Sequence, residues 1–196
     1  LSWVLLVTQI AYPVVVDVPY AWARHGSAVA RDLFWQDAVT LFLAGAVDLT
    51  LRDLVGRARP YVYDCLAAGG SSCVSTPEAV RSFPGGHLTV AAAGSVLTCT
   101  QHLTIGIYGG PWDGIACATS LAATASISAM RIMTDSHWAT DELAGVALGA
   151  LIGWGVPYAM HLRRDAKGAS AAPTAMILPA PVAFDRGGGL GAVGFF

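Results

Sequence analysis

The chain has few charged residues for its length. Only 12% of its 196 residues are Asp, Glu, Lys or Arg, which is about half the share usual in a soluble domain. The formal net charge is −2 and no basic stripe is present, which argues against a nucleic-acid-binding protein. Hydrophobic residues make up 55% of the chain, and the mean hydropathy is +0.56. This composition predicts a protein that lies in a lipid bilayer.

The four cysteines lack the spacing of a zinc site or a thioredoxin-like motif. Cys99 and Cys117 lie in apolar stretches, so we interpret them as small buried thiols. Cys65 and Cys73 lie in one polar loop, and they can form a disulfide if that loop faces an oxidising compartment. The sequence predicts neither a metal site nor a cofactor.

Several stretches have the length and apolarity of membrane spans or near-spans. They are rich in Ala, Gly, Ser and Thr, which favours close helix packing inside a membrane. They also lack the polar face that a helix of a soluble bundle presents to water. These stretches are Leu1–Val16, Asp37–Leu51, Leu88–Tyr108, Gly114–Met130 and Asp141–Met160. The predicted fold is all-α, a transmembrane helical bundle.

We expect one membrane-embedded domain over residues 1–164, followed by a tail over residues 165–196. Residue 1 is Leu, and the opening stretch is apolar without a positively charged leader. We therefore expect that the natural start, with one or more spanning helices, is missing. The tail is rich in Ala, Pro and Gly, which predicts little packed structure. Its apolar patches Met176–Leu178 and Val193–Phe196 are compatible with short strands.

The basic residues predict an orientation in the membrane. Counting the apolar stretches places Arg24, Arg31 and the segment His161–Lys167 on one side. The long loop Asp53–Gly86 then lies on the opposite side. Because positive charge is enriched on cytoplasmic loops, we predict an integral protein of the bacterial inner membrane, with the long loop facing the periplasm.

Three polar clusters on that side have residue types that suit phosphate chemistry. The first contains Arg52 and Arg59, and Arg131 opens the third. Arginine presents a planar fork of donors to phosphate oxygens and stays charged at any working pH. Three such groups can neutralise a phosphoryl transition state without a metal ion.

The second and third clusters add an anion site and two imidazoles. Pro84-Gly85-Gly86 leads into a predicted helix, where free backbone N–H groups bind anions. His137 and Asp141 are four residues apart and share a helical face. The carboxylate can hold one imidazole nitrogen protonated and leave the other free to attack. His87 can protonate the leaving alcohol.

This arrangement resembles the type 2 phosphatidic acid phosphatase superfamily, whose signature is basic-x6-Arg-Pro, Pro-Ser-Gly-His and Arg-x5-His-x3-Asp. The order and spacing match over roughly Asp37–Met160. The resemblance implies a membrane-bound, metal-independent phosphohydrolase that acts on a lipid phosphate or pyrophosphate through a phosphohistidine. It implies that His137 is the nucleophile, His87 the general acid and Asp141 the residue that orients His137. The implied phosphate ligands are Arg52, Arg59, Arg131 and the backbone of Gly85 and Gly86.

Two positions depart from that signature, and two alternatives stay open. Arg52 stands where the superfamily usually has lysine, and Gly85 stands where it usually has serine. The lost hydroxyl predicts a rate lower by roughly tenfold to a thousandfold, or a changed substrate preference. One alternative is a degenerate protein that binds lipid phosphates without hydrolysis, against which the intact histidines argue. The other is a vanadium-dependent haloperoxidase, against which the hydrophobic helices argue.

Other polar residues receive structural interpretations. We interpret Arg57 and Arg81 as interfacial anchors. Asp48 lies one turn before Arg52, which predicts an ion pair between them. His102 matches no motif, so a structural role is favoured.

Overall fold

The computed structural model describes residues 1–165, 176–184 and 187–195. Within these residues the chain forms seven α-helices and two strands. The helices are α1 Ser2–Tyr12, α2 Val18–His25, α3 Ser27–Val55, α4 Pro60–Ala67, α5 Gly86–Ile105, α6 Pro111–Met133 and α7 Ala139–Asp165. A π-helical turn, Pro13–Asp17, joins α1 to α2, and a 3₁₀ turn, Pro77–Val80, precedes α5.

Local chemistry explains several helix boundaries. Pro60 and Pro111 are the first residues of α4 and α6, where the missing N–H costs nothing. Gly56 ends α3 with φ 61°, and Gly106 ends α5 with φ 68°. Such left-handed termini favour glycine.

Three described helical segments are long and apolar enough to cross a membrane: Ser2–His25, Pro111–Met133 and Ala139–Met160. The helical bundle predicted from the sequence is confirmed. Helices α3 and α5 are 29 and 20 residues long, but they are not among the three. Both carry buried polar residues that face other helices, such as Asp48 and Gln101.

The described residues divide into two compact units, Leu1–Pro157 and Tyr158–Phe196. The second unit contains an antiparallel pair of strands, β1 Met176–Phe184 and β2 Gly187–Phe195. Its register pairs Met176 with Phe195 and Phe184 with Gly187. The strands are therefore longer than the two apolar patches that suggested them.

In the first unit, α5 packs against α3 and α6, and α1 packs against α5 and α6. Gln9 fixes α1 in place through a buried polar network. Its amide donates to Ser95 Oγ at 2.9 Å and to the Ser120 carbonyl at 2.7 Å, and it accepts from Ser120 Oγ at 2.8 Å. Leu6 packs nearby with Leu88 in an apolar cluster.

A glycine stripe brings α7 into backbone contact with α5. Gly145, Gly149 and Gly153 recur every four residues on one face of α7. A Cβ at Gly145 would lie 2.7 Å from the carbonyl oxygen of Gly85, and at Gly149 and Gly153 it would overlap backbone oxygens of α5. The start of α7 is thereby held against the start of α5.

A buried cluster of polar residues, here called the aspartate cluster, lies where the π-helical turn, α3, α5 and α6 meet. His102 lies between two carboxylates: Nδ1 is 2.8 Å from Asp113 Oδ1, and Nε2 is 3.3 Å from Asp17 Oδ2. Gln101 donates to Asp37 Oδ1 at 2.8 Å. Tyr108 donates its hydroxyl proton to Asp17.

The structure pairs all four cysteines. Cys65 and Cys73 are joined in the loop between α4 and the 3₁₀ turn. Cys99 and Cys117 are joined as well, linking α5 to α6. Our interpretation of Cys99 and Cys117 as separate buried thiols was wrong, because helix packing brings together two positions that have no telling spacing in the sequence.

Candidate active site

One cavity of about 660 Å³ brings the three sequence clusters together. We call its basic half the arginine site, which consists of Arg52, Arg59, His87, Arg131 and His137. Asp48, Glu78 and Gly86 also line this half. The other half is largely apolar and is lined by Trp3, Leu6, Gly45, Leu49 and Val90.

Arg52 enters the cavity from the last turn of α3. Its guanidinium is paired with Asp48 one turn earlier, as predicted. Gly86 lies against this pair, since a Cβ at position 86 would be 2.6 Å from Asp48 Oδ2 and 2.9 Å from Arg52 Cζ. Glycine is therefore needed at position 86 so that Arg52 can reach the cavity.

Arg59 is fixed by backbone carbonyls before α4 begins. Its Nε donates to the Glu78 carbonyl at 2.7 Å, and its Nη1 donates to the Ser136 carbonyl at 3.0 Å. These two acceptors are neutral, so they hold the side chain in place without offsetting the charge that a bound anion would meet.

His137 lies in the turn before α7 and is only 3% exposed. Its Nδ1 lies 2.7 Å from the carbonyl oxygen of Ser82. A carbonyl can only accept, so Nδ1 carries the proton and Nε2 carries the lone pair. Nε2 faces Arg131 Nη2 at 3.0 Å and Arg59 Nη1 at 3.5 Å. Burial and the neighbouring Arg59 lower the pKa of His137 to about 3, so the ring is neutral near pH 7.

Asp141 reaches His137 indirectly, which differs from the prediction. Its Oδ2 accepts from Ser82 Oγ at 2.5 Å and from the Trp138 amide at 3.2 Å. Its Oδ1 accepts from Arg57 Nη1 at 2.5 Å. The carboxylate therefore positions Ser82 and the turn that carries His137, while the Ser82 carbonyl contacts the imidazole.

Arg57 and Arg81, interpreted from the sequence as interfacial anchors, are part of the network around the site. Arg57 bonds Asp141 and lies 5.4 Å from the ring centre of Trp138. Arg81 pairs with Asp53 at 2.8 Å. Taken singly, an arginine near a helix end carries no sequence signal that separates an anchor from an ion pair.

His87 is the second residue of α5, and its ring packs edge-on against Trp3 with ring centres 4.4 Å apart. Its buried Nε2 has no hydrogen-bond partner among the described residues. Burial and the charges of Arg131 and Arg52 lower its pKa to about 4. In the free site His87 is therefore neutral near pH 7.

The two glycines of the loop have different roles. The N–H of Gly85 donates to the carbonyl of Asp141 at 2.9 Å. The predicted role of that amide as a phosphate ligand does not fit this geometry, since the donor is already engaged. Gly86 lines the cavity instead, and as the first residue of α5 its N–H has no partner within the helix.

Two acidic residues near the site escaped the sequence interpretation. Glu78 Oε2 lies 3.6 Å from Arg59 Nη2 and 3.8 Å from Arg52 Nη1. Glu142 is buried beside Gly85. An acid inside an otherwise apolar stretch is a recognised signal of function, and this signal could have singled out Glu142. Glu78 lies in a polar loop that offers no such signal.

The described residues contain no group of three or more His, Cys, Asp or Glu side chains arranged to hold a metal ion. The positive charge of the site comes from its three arginines, two of which lie within 3.5 Å of His137 Nε2. Such an arrangement can bind a tetrahedral oxyanion next to a nucleophilic nitrogen.

Comparison with known proteins identifies the family of this site. Residues 34–165 match the PAP2 superfamily. The chain belongs to that superfamily. The resemblance stated from the sequence is thereby confirmed, and the matched range contains the whole arginine site.

One relative of the chain is the lipid A 1-phosphatase of Porphyromonas gingivalis. It is 40% identical over 75 residues. That segment covers 38% of this chain and 15% of the relative, so the chain spans only a small part of that protein's length. No solved structure matches the chain.

Proposed function

We propose that this chain is the catalytic core of a membrane phosphohydrolase that removes a phosphate group from a lipid phosphate or pyrophosphate. In this proposal His137 is the nucleophile and forms a phosphohistidine. Membership of the PAP2 superfamily supports the reaction class. The observation that carries the proposal is the state of His137, whose Nδ1 is held by a carbonyl and whose Nε2 faces two guanidinium groups.

The chemistry follows from these positions. The phosphoryl group binds between Arg52, Arg59 and Arg131, whose charges neutralise its oxygens. The lone pair of His137 Nε2 then attacks phosphorus and the bond to the leaving oxygen breaks. Positive charge that develops on the imidazole is stabilised at Nδ1 by the Ser82 carbonyl. Water next attacks the phosphorus, the P–N bond breaks, and inorganic phosphate leaves.

The neutral state of His87 shapes its role as general acid. A neutral imidazole has no second proton to give, and burial together with the three arginines holds the pKa of His87 at about 4. A bound phosphate dianion offsets those charges and raises the affinity of His87 for a proton. His87 therefore becomes an acid only when substrate is present, protonates the leaving oxygen, and takes a proton back from the attacking water.

The apolar half of the cavity supports a lipid substrate. Trp3 and Leu6 of α1, Leu49 of α3 and Val90 of α5 contribute apolar surface to its lining. Hydrocarbon buried there gains roughly 0.8 kcal/mol per methylene group. The relative from Porphyromonas gingivalis is named for an action on lipid A, so lipid A belongs among the substrates to test.

We also propose that the site faces the periplasm of a bacterial inner membrane. Three of the arginines on the site's side are engaged in ion pairs: Arg52 with Asp48, Arg57 with Asp141, and Arg81 with Asp53. Because acidic partners offset their charges, these arginines argue only weakly against an orientation in which the opposite side is cytoplasmic. The Cys65–Cys73 disulfide in the loop on the site's side suits an oxidising compartment.

The decisive experiment measures phosphate release by the purified chain in detergent with EDTA. The substrates are phosphatidic acid, undecaprenyl pyrophosphate and lipid A. We expect His137→Ala to lower kcat by roughly 10³-fold or more, because no other group replaces the nucleophile. His25→Ala, a histidine distant in sequence from the motifs, is the control and should retain activity.

Two other outcomes point elsewhere. If the wild type and His137→Ala are equally inert on all three substrates, the catalytic proposal fails and a non-hydrolysing lipid-phosphate-binding protein takes its place. Bromide oxidation that depends on added vanadate would indicate the haloperoxidase alternative.

A further inference from the structure

Glu142 has an unusual environment on the first turn of α7. Its side chain is only 2% exposed. Both carboxyl oxygens are buried, and neither has a hydrogen-bond partner among the described residues. Burying a carboxyl group that makes no hydrogen bond is unfavourable, because the group leaves water and gains no partner in return. Such a group at the edge of a charged site calls for an explanation.

The carboxyl group of Glu142 occupies the space that a side chain at position 85 would need. A Cβ built on Gly85 would lie 2.8 Å from Glu142 Oε1 and 3.1 Å from its Cδ. Real Cβ atoms are almost never found so close to another heavy atom. Glycine at position 85 and glutamate at position 142 are therefore sterically matched.

The electrostatic surroundings connect Glu142 to the arginine site. The charges of Arg131 and Arg59 attract the carboxylate of Glu142, and the charge of Asp141 repels it. Among the described residues the buried Nε of Arg131 has no hydrogen-bond partner, while its Nη2 lies 3.0 Å from Nε2 of His137, the proposed nucleophile. Glu142 is thus a buried acid under the influence of a cation that contacts the proposed nucleophile.

We propose that Glu142 is a positioning residue of the arginine site. Its carboxyl group enters from α7, fills the space of a residue-85 side chain against Gly85, and acts on the guanidinium of Arg131 through its charge. This inference rests on the proposed function for its role in turnover, but its geometric part concerns phosphate binding alone. It also accounts for the departure at Gly85, since the space that a serine would need is already filled.

The test is a double-mutant cycle with two readouts, the Kd for inorganic phosphate and the kcat on a lipid phosphate. The variants are Gly85→Ser, Glu142→Ala and the combination of both. Gly85→Ser should weaken phosphate binding and lower kcat by about 100-fold, since the clash displaces the turn. Glu142→Ala should lower kcat by about tenfold. The double variant should be at least about tenfold more active than Gly85→Ser, because the space is free again.

Glu142→Gln separates positioning from simple space filling. The amide keeps the shape of the side chain and cannot carry a negative charge. We expect kcat to fall by roughly tenfold while KM stays within about threefold. A Glu142→Gln enzyme with wild-type kcat would contradict the proposed effect of the Glu142 charge on Arg131. A double variant that binds phosphate no better than Gly85→Ser would overturn the steric match.

Thermal unfolding of each variant in detergent shows whether it folds. A folded Gly85→Ser chain that binds phosphate as tightly as the wild type also contradicts the proposal. If the wild type binds phosphate but hydrolyses no lipid phosphate, the proposed function fails while the phosphate titrations still decide the role of Glu142.

Discussion

The molecule contains two buried polar regions, and each is built around a histidine. In the aspartate cluster, His102 has a carboxylate near each ring nitrogen, at 2.8 and 3.3 Å. In the arginine site, His137 has a carbonyl at one nitrogen and guanidinium groups at the other. Carboxylates and carbonyls accept hydrogen bonds, whereas guanidinium groups only donate.

The difference supports the proposed roles of the two histidines. Carboxylates lie beside both ring nitrogens of His102, so neither nitrogen is directed at a ligand site. His137 keeps a lone pair at Nε2, and burial together with the cations beside it lowers the pKa of its ring to about 3. His137 also lines the cavity of about 660 Å³, whose lining residues do not include His102. The sign of the surrounding charge and access to a cavity separate the two roles.

Removing His102 should have the largest effect on stability. Without the ring, Asp17 and Asp113 lose the group that separates two buried carboxylates. We expect His102→Ala to lower the free energy of unfolding by about 3–5 kcal/mol, measured by thermal unfolding in detergent. The folded fraction should keep its phosphatase activity.

His25→Ala is the matched control, since His25 makes one hydrogen-bond contact, 3.2 Å from the Ile107 carbonyl. We expect His25→Ala to lower the free energy of unfolding by about 1 kcal/mol. Equal stability losses in the two variants would contradict the distinction between the regions.

Gly86→Ala should lower activity strongly with little effect on the fold. The new methyl group would overlap the guanidinium of Arg52 and the carboxylate of Asp48. We expect kcat/KM to fall by about 100-fold, because Arg52 is displaced from the cavity. Gly114→Ala on α6 is the control, since a Cβ there meets nothing within 4 Å. Similar activity in the two variants would show that Arg52 is not a phosphate ligand.

The smallest effect is expected at the mouth of the arginine site. Glu78 contacts Arg59 and Arg52 at 3.6 and 3.8 Å, where a phosphate would have to bind. We expect Glu78→Gln to tighten binding of inorganic phosphate by roughly fivefold, a modest change because Glu78 is 53% exposed and its ion pairs are screened.

Asp53→Asn is the control for this carboxylate. Asp53 pairs with Arg81 as Glu78 does, but within the part of the chain that the structure describes it forms no ion pair with Arg52 or Arg59. Isothermal titration should show an unchanged Kd for Asp53→Asn. A Glu78→Gln chain with weaker phosphate binding would mean that Glu78 supports the site and does not compete for it.

That the three polar clusters lie together could be predicted from the sequence, because each of them lies at the end of an apolar stretch. Arg52 and Arg59 follow one apolar stretch, His87 opens the next, and His137 precedes the last. A helical bundle returns all of these ends to one face. The Asp48–Arg52 pair was predictable as well, since a spacing of four residues fixes the contact.

Contacts made by backbone groups could not be predicted from the sequence in this way, because residue type does not mark them. The partner of His137 Nδ1 is the carbonyl of Ser82, a group that every residue has. The Gly85 amide is engaged by another carbonyl, that of Asp141. Arg57 reaches Asp141 across 84 positions of sequence. The Cys99–Cys117 pairing likewise depends on how α5 packs against α6.

Because of the glycine stripe, the dimensions of the active site depend on contact between the main chains of α7 and α5. Gly145 lies against the carbonyl oxygen of Gly85, so the distance between the helices that carry His87 and Asp141 is set by backbone atoms and not by a deformable side chain. A methyl group added at Gly149 or Gly153 would push α7 away from α5 and so change the geometry of the arginine site. Lipid-facing positions of α7 can therefore vary widely. The three glycines of the stripe, in contrast, fix the helix spacing of a site whose cavity they do not line.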